Sequence, residues 1–321
     1  MTKTAKILLT AAAVMTVVGL LGFVLMMSLR GWDFAAPDTE HFETNTYTVS
    51  ESFGHISVNV YTTDITFVPA EDESCSVVCK ETEKQKHSVS VKDNTLVIEM
   101  TDTRKWYDHI GISTQSPAMT VYLPKAEYDS LTVSSNTGDL TVPADFSFAS
   151  FTVKSDTGDV DCLASVSGTA AIHLDTGHIN MSTIAADRLE LSSDTGKIQL
   201  DSVTVTGDIQ VETDTGKISL TDASCANLKA DSDTGDMRLK NVTAEGSFSI
   251  ENQTGDVEFI DSDAAEIYVE TDTGDVTGTL RSQKIFQTES ETGDIRVPDS
   301  MTGGRCQITT DTGDIKLQIA S

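Results

Sequence analysis

Seven copies of the triplet Asp-Thr-Gly lie along one chain of 321 residues, beginning at Asp156, Asp175, Asp194, Asp214, Asp233, Asp272 and Asp311. Aspartic proteases use two such triplets, each followed by Ser or Thr, to bring together two carboxylates that share one proton. Here the next residue is Asp, His, Lys, Lys, Asp, Asp and Asp in turn, and the copies recur serially instead of as a pair. A structural role for the triplet is therefore favoured: Gly adopts the positive φ of a turn and Asp accepts backbone amides. No catalytic residue is expected. A second chemistry open to these carboxylates is the binding of a divalent cation such as Ca2+, since hard cations take carboxylate oxygens. The pairs flanking a Thr-Gly turn are the candidates: Asp156 with Asp159, Asp233 with Asp236, Asp272 with Asp275, and Asp311 with Asp314. The repeat lacks the dense glycine-and-aspartate spacing of calcium-loaded nonapeptide coils. A solvated acidic face screened by salt competes with the cation reading and is preferred. No other cofactor is expected.

One further cluster could bind. Arg104, Lys105, Trp106, Tyr107 and His109 place cations beside aromatic rings in a chain with 50 acidic and 22 basic residues, a formal charge of −28. Such a loop could contact an anionic wall polymer, lipid headgroups or a protein partner. It could equally serve as a lid on the end of a β-structure. Nucleic acid is excluded as a partner because the Lys and Arg clusters that neutralise phosphate are missing.

The elements that hold these residues follow from a repeat. Counting NTGD, QTGD and ETGD with the DTG forms, ten turns carry Gly138, Gly158, Gly177, Gly196, Gly216, Gly235, Gly255, Gly274, Gly293 and Gly313. Every spacing is 19 or 20 residues. A period near twenty marks stacked supersecondary units. Apolar residues keep the same register: Leu131, Phe151 and Leu189 lie seven before the glycine, and Leu140, Val160 and Ile179 two after it. Each repeat thus holds two alternating strands around a Thr-Gly turn, with one face inward. An antiparallel meander would need a second turn of equal regularity, and none is visible. The expected fold is all-β, an elongated β-solenoid of about ten coils over residues 131–321, roughly 50 Å long at 4.8 Å per coil.

Residues 44–130 alternate without the repeat signature and are expected to form an irregular β cap. Lys92-Asp93-Asn94 reads as a hairpin turn, and Gly54-His55-Ile56 as a degenerate repeat turn. All five cysteines, Cys75, Cys79, Cys162, Cys225 and Cys306, are expected to be unbridged buried hydrophobes, because neighbours in the series sit too far apart for a disulfide. Ile7 to Leu29 is uncharged and apolar, long enough for a transmembrane helix. It follows a six-residue cytoplasmic tail, residues 1–6, and precedes a linker, residues 30–43. Lys3 and Lys6 put the N-terminus inside and the remainder outside the cytoplasmic membrane. A cleaved signal peptide is the competing reading, disfavoured by the length of the run and the lack of a small-x-small site.

VYLPKAEYDSLTVSSNTGDLTV, Val121 to Val142, followed by serial TGD turns, resembles the bacterial adhesin-like β-strand-repeat domain of unknown function. The resemblance covers about residues 50–320. It implies a membrane-anchored surface protein without established enzymatic activity, some of whose relatives are associated with envelope stress. Two roles follow as expectations: a non-enzymatic adhesin-like or envelope-binding module, or an envelope-stress regulator acting through a membrane-protein partner.

Overall fold

The computed structural model describes residues 3–29, 41–72, 74–104 and 117–320. They divide into two units, residues 1–41 with 104–115, and residues 42–103 with 116–321. The first contains helix α1, Lys3–Leu29, in which Leu9, Met15, Val18, Leu21 and Leu25 are exposed. The expected segment 7–29 is therefore helical. The expectation that it spans a membrane is not met at the same level: among the described residues no helix is long and apolar enough to cross one.

The described residues of the second unit form one continuous hydrogen-bonded system of strands, stacked mainly in parallel. Strands that lead into the Thr-Gly turns make a front sheet, and strands that leave them make a back sheet. Equivalent residues are register partners, so Thr137, Thr157, Thr176 and Thr195 form one column and Leu140, Val160, Ile179 and Ile198 another. The inward residues form one unbroken apolar core, with Leu131, Phe151, Leu189, Ile209 and Leu228 almost wholly inaccessible. The repeat thus builds the β-solenoid its period implies, because a single coil of two short strands cannot bury its own inner face.

A third, narrow side completes several coils. Phe148 pairs with Val166, Ala186 with Val205, and Cys225 with Ala244, all buried. The corner into this side is a second regular turn. Thr183, Ser202, Asp222, Asn241 and Asp261 each lie six residues after a turn glycine, and each has φ between 49° and 61°. Its regularity is conformational only. Four residue types occupy it, of which two, Asp and Asn, favour the left-handed region, so no motif marks it in the sequence.

The stack starts one coil earlier than the first TGD. Strands β1 (Glu43–Val49), β2 (His55–Asn59), β3 (Asp64–Pro69), β4 (Cys75–Glu81), β5 (Gln85–Lys92), β6 (Thr95–Asp102), β7 (Ala118–Leu123) and β8 (Glu127–Thr137) form the N-terminal part. β2 pairs with β8 and β3 with Leu140–Val142. The degenerate turn is Thr62-Thr63-Asp64, and the reading of Gly54-His55-Ile56 as that turn is corrected. Ile56, Val58, Ile65 and Phe67 stand at the offsets from Thr63 that Leu131, Val133, Leu140 and Val142 have from Gly138. β7 and then antiparallel β4 and β1 extend the back sheet; β6 and antiparallel β5 extend the front. Asp93 and Asn94, both at positive φ, make the expected hairpin turn between β5 and β6.

At the other end the coils are not in sequence order. The strand Gly304–Thr312 pairs on one side with the strand containing Ile267 and on the other with Lys284–Thr292. Ile315 likewise lies between Val276 and Ile295. The Gly313 coil is therefore inserted between the Gly274 and Gly293 coils, and the Gly293 coil is outermost. Side-chain chemistry accounts for the order. The inserted coil presents Cys306, Ile308, Ile315 and Leu317 to the core, while the outer coil presents Phe286, Thr288, Ile295 and Val297, so the more apolar coil takes the buried place.

Candidate functional site

Each Thr-Gly turn is fixed by its neighbours above and below. The Gly138 amide donates to the Thr157 carbonyl and the Leu140 amide to the Asp159 carbonyl, at 3.0 and 2.8 Å, and the pattern repeats up the stack. Coils approach so closely that a Cβ on Gly235, where φ is +151°, would lie 1.8 Å from the Gly216 carbonyl oxygen. No side chain fits there.

The aspartate after each glycine is used in the same corner. The Asp159 amide donates to Asp139 Oδ1 at 2.8 Å, the His178 amide to Asp159 Oδ1 at 2.7 Å, and the Lys197 amide to His178 Nδ1 at 2.9 Å. The column begins at Asp64, which accepts the Asp139 amide, and ends where Asp314 accepts the Asp294 amide at 2.7 Å. Lys316 and that amide hold the Asp314 carboxyl below the usual carboxylate range. In the column before the Thr, Asn136 donates to Asp156 and Gln253 to Asp233, while Asp272 and Asp311 are exposed. Of the candidate cation pairs, Asp159, Asp236, Asp275 and Asp314 thus each spend one oxygen on the adjoining coil. Among the described residues no group of three or more His, Cys, Asp or Glu is placed to hold a metal ion.

A buried polar column stands beside the turns, three residues before the glycine. Ser193 donates to the Gly177 carbonyl at 2.8 Å, Thr213 to Gly196 at 3.3 Å, and Asn252 to both Gly235 and Gly255. These groups satisfy turn carbonyls that the parallel ladder leaves open. The sequence carried the signal, a Ser, Thr or Asn at nine of ten repeats with Leu174 as the exception. All five cysteines are free and buried, and burial pushes each thiol up to about 12.

Of the predicted ligand loop, Arg104 is described and half-buried; Lys105, Trp106, Tyr107 and His109 lie outside the described residues. A different surface is visible on the outer face of the front sheet. A shallow groove of about 240 Å³ runs across successive coils there, floored by Ala171 and flanked by Thr152 and Glu190 in the same column. The neighbouring column supplies Lys154, His173, Ser192 and Glu212. His173 Nδ1 meets Ser192 Oγ at 2.7 Å, and its Nε2 is 3.7 Å from Asp175. A cation at one end, carboxylates at the other and hydroxyls between them suit an extended polar chain. The groove comes from one small residue between larger ones, Ala171 in a column of Thr, Glu and Gln.

The N-terminal cap holds the other polar cluster. Glu81 is wholly buried, and accepts from the His87 amide at 2.8 Å, His87 Nδ1 at 3.0 Å, Lys86 at 3.3 Å and Tyr47 at 3.2 Å, and also from Asn45. Burial raises its carboxyl, but the His87, Asn45 and Lys86 hydrogen bonds outweigh it and hold the group below the usual range. Burial, followed by the charge of Glu81, pushes the Tyr47 hydroxyl up to about 12. The cluster clips β1 and β5 onto β4.

The family described as Toastrack DUF4097 matches this chain over residues 53–213 and 206–321. The chain belongs to that family. The resemblance read from the serial TGD turns is confirmed, and this Toastrack domain includes the Thr63 coil that precedes them. Similar crystal structures include a candidate adhesin from Bacteroides fragilis NCTC 9343, 15% identical, covering 88% of this chain and 99% of that one at a TM-score of 0.40. A candidate adhesin from Parabacteroides distasonis ATCC 8503 is 11% identical, covering 88% and 98% at 0.44. A candidate lipid-binding protein from the same organism is 13% identical, covering 87% and 98% at 0.42. Comparison with curated proteins gives no match.

Proposed function

We propose that this Toastrack protein is a non-enzymatic binding module held at the bacterial cytoplasmic membrane by its N-terminal helix, with the solenoid outside. The observation that carries the binding role is the groove on the front sheet. Its polar groups recur at the coil spacing, roughly 4.8 Å, which suits an extended polymer of the cell envelope better than a small substrate. The aspartates that follow the turn glycines are committed to neighbouring coils, and those of the Asp-Thr-Gly triplets stand in a serial column and not as one facing pair, which favours a scaffold over catalysis. The anchor rests on the uncharged run Ile7 to Leu29 behind Lys3 and Lys6. The loop containing Arg104, Lys105, Trp106, Tyr107 and His109 offers a second contact of cationic and aromatic character. The Asp pairs across the turns are the places where calcium would act.

Co-sedimentation of residues 42–321 with isolated cell walls and with membrane vesicles, in calcium and in chelator, tests the reading. Pelleting with walls is expected, and filling the groove by Ala171→Trp together with Lys154→Glu should weaken it about ten-fold, or ~1.4 kcal/mol. Dependence on calcium would assign the Asp pairs. A fragment that stays in the supernatant throughout refutes the binding role and shifts the weight to a regulator working through a membrane-protein partner.

A further inference from the structure

The solenoid's two ends are finished differently. The N-terminal end is closed by antiparallel β1 and β5, with Val77, Cys79, Leu96 and Ile98 fully buried behind them. At the opposite end, among the described residues, Lys284–Thr292 pairs only with Gly304–Thr312, and Ile295–Arg296 only with Ile315–Ile319. Both sheets therefore stop at an open edge, and the core cross-section between them is uncovered. Ile295 points inward yet is 42% exposed, while its equivalents Ile218, Met237, Val276 and Ile315 are 0%. Outside α1 only five large apolar residues are exposed among those described, and Ile285, Ile295 and Met301 at this end are three of them.

We propose that this end is a docking surface for a second copy of the chain, joined end to end about a two-fold axis. The shape selects the occupant. A lone strand from another protein would cover one edge and leave the second edge and the core open. Another solenoid end of the same kind offers two edges at the same separation with an apolar section between them. The axis runs from front sheet to back sheet, so each outer strand meets its own copy antiparallel, and the contact is isologous and closed.

The charge distribution permits it. Residues 201–280 carry 18 acidic and 4 basic side chains, whereas residues 281–320 carry 6 and 5. The end of a chain of charge −28 is thus nearly neutral and does not repel itself. Nor is the edge guarded in the usual way by an inward lysine. Lys284 is buried, but its Nζ is bound to Asp263 at 2.7 Å, Ser282 at 2.9 Å and the Ala264 carbonyl at 2.5 Å. A nine-residue strand is roughly 30 Å long, and with sheets about 10 Å apart plus their side chains the end face is roughly 500 Å² per copy. The total of about 1,000 Å² reaches the threshold for a specific interface, to which the two strand pairings add backbone hydrogen bonds.

The test is the mass of the full chain in detergent by light scattering, corrected for the micelle. Wild type is expected at twice the chain mass. Ile295→Asp, which charges the exposed inward position, and Thr288→Lys, which alters a position already polar, should each halve the mass while the circular dichroism spectrum stays that of the folded wild type. A wild type that runs as a monomer at micromolar concentration overturns the proposal, as do folded variants that stay dimeric. A monomer that instead takes up a synthetic peptide of residues 284–297 overturns it in favour of a foreign strand.

Discussion

At the residue scale, the turn glycines and the hydroxyls beside them answer to different forces. Gly235 is required twice, by its positive φ and by the carbonyl 1.8 Å from where a Cβ would stand. Gly235→Ala must therefore push two coils apart, and should cost more than about 3 kcal/mol in urea unfolding. Ser193→Ala leaves the Gly177 carbonyl without its donor and should cost about 1 kcal/mol in the same assay. Asp159→Ala, at an exposed corner, should cost no more than that. The cysteines give a chemical readout. With thiols raised to about 12 and no access to solvent, none should react with a disulfide reagent near neutral pH until the solenoid unfolds, when all five should titrate together.

At the element scale, the Glu81 cluster decides how the N-terminal cap stays attached. Among the described residues β1 pairs only with β4, and Glu81 adds side-chain ties to it through Asn45 and Tyr47. Replacing the carboxylate by Glu81→Gln takes the buried charge away from Lys86, which keeps Glu43 at 3.6 Å, and should cost roughly 1–2 kcal/mol near neutral pH. Because the folded carboxyl is depressed, its contribution is present above the ordinary glutamate value of about 4.3 and fades as pH falls through the lower folded value. The difference between wild type and Glu81→Gln should therefore shrink below about pH 4, which chemical unfolding across that range would reveal. This cluster was not legible beforehand. Asn45, Glu81 and His87 lie in segments without a repeat, and only antiparallel pairing of β1, β4 and β5 brings them together.

At the scale of the whole molecule, the inserted C-terminal coil reverses the usual relation between sequence position and protection. Gly304–Thr312 has a strand on each side, while Lys284–Thr292 has one. Amides of 284–292 should exchange with solvent faster than those of 304–312, although the latter lie closer to the chain end. A serial stack would give the opposite order in hydrogen exchange. The same arrangement leaves Ile295 open at the end of the core, so the threading also creates the surface inferred for a second copy.

The twenty-residue period, the turn glycines and the inward apolar positions determined the solenoid from sequence alone, because each repeat has to bury its face on a copy of itself. Even the extra N-terminal coil was written there, as Ile56, Val58, Ile65 and Phe67 around Thr63. Tertiary structure decided three things: the second corner, where backbone conformation repeats and residue type does not; the groove, where one alanine sits between larger neighbours on adjacent coils; and the order of the last two coils. Two repeats of equal length and register can stack either way. The choice between them fell to the apolar content of four inward positions, a comparison that acts only once both coils compete for the same place against the core.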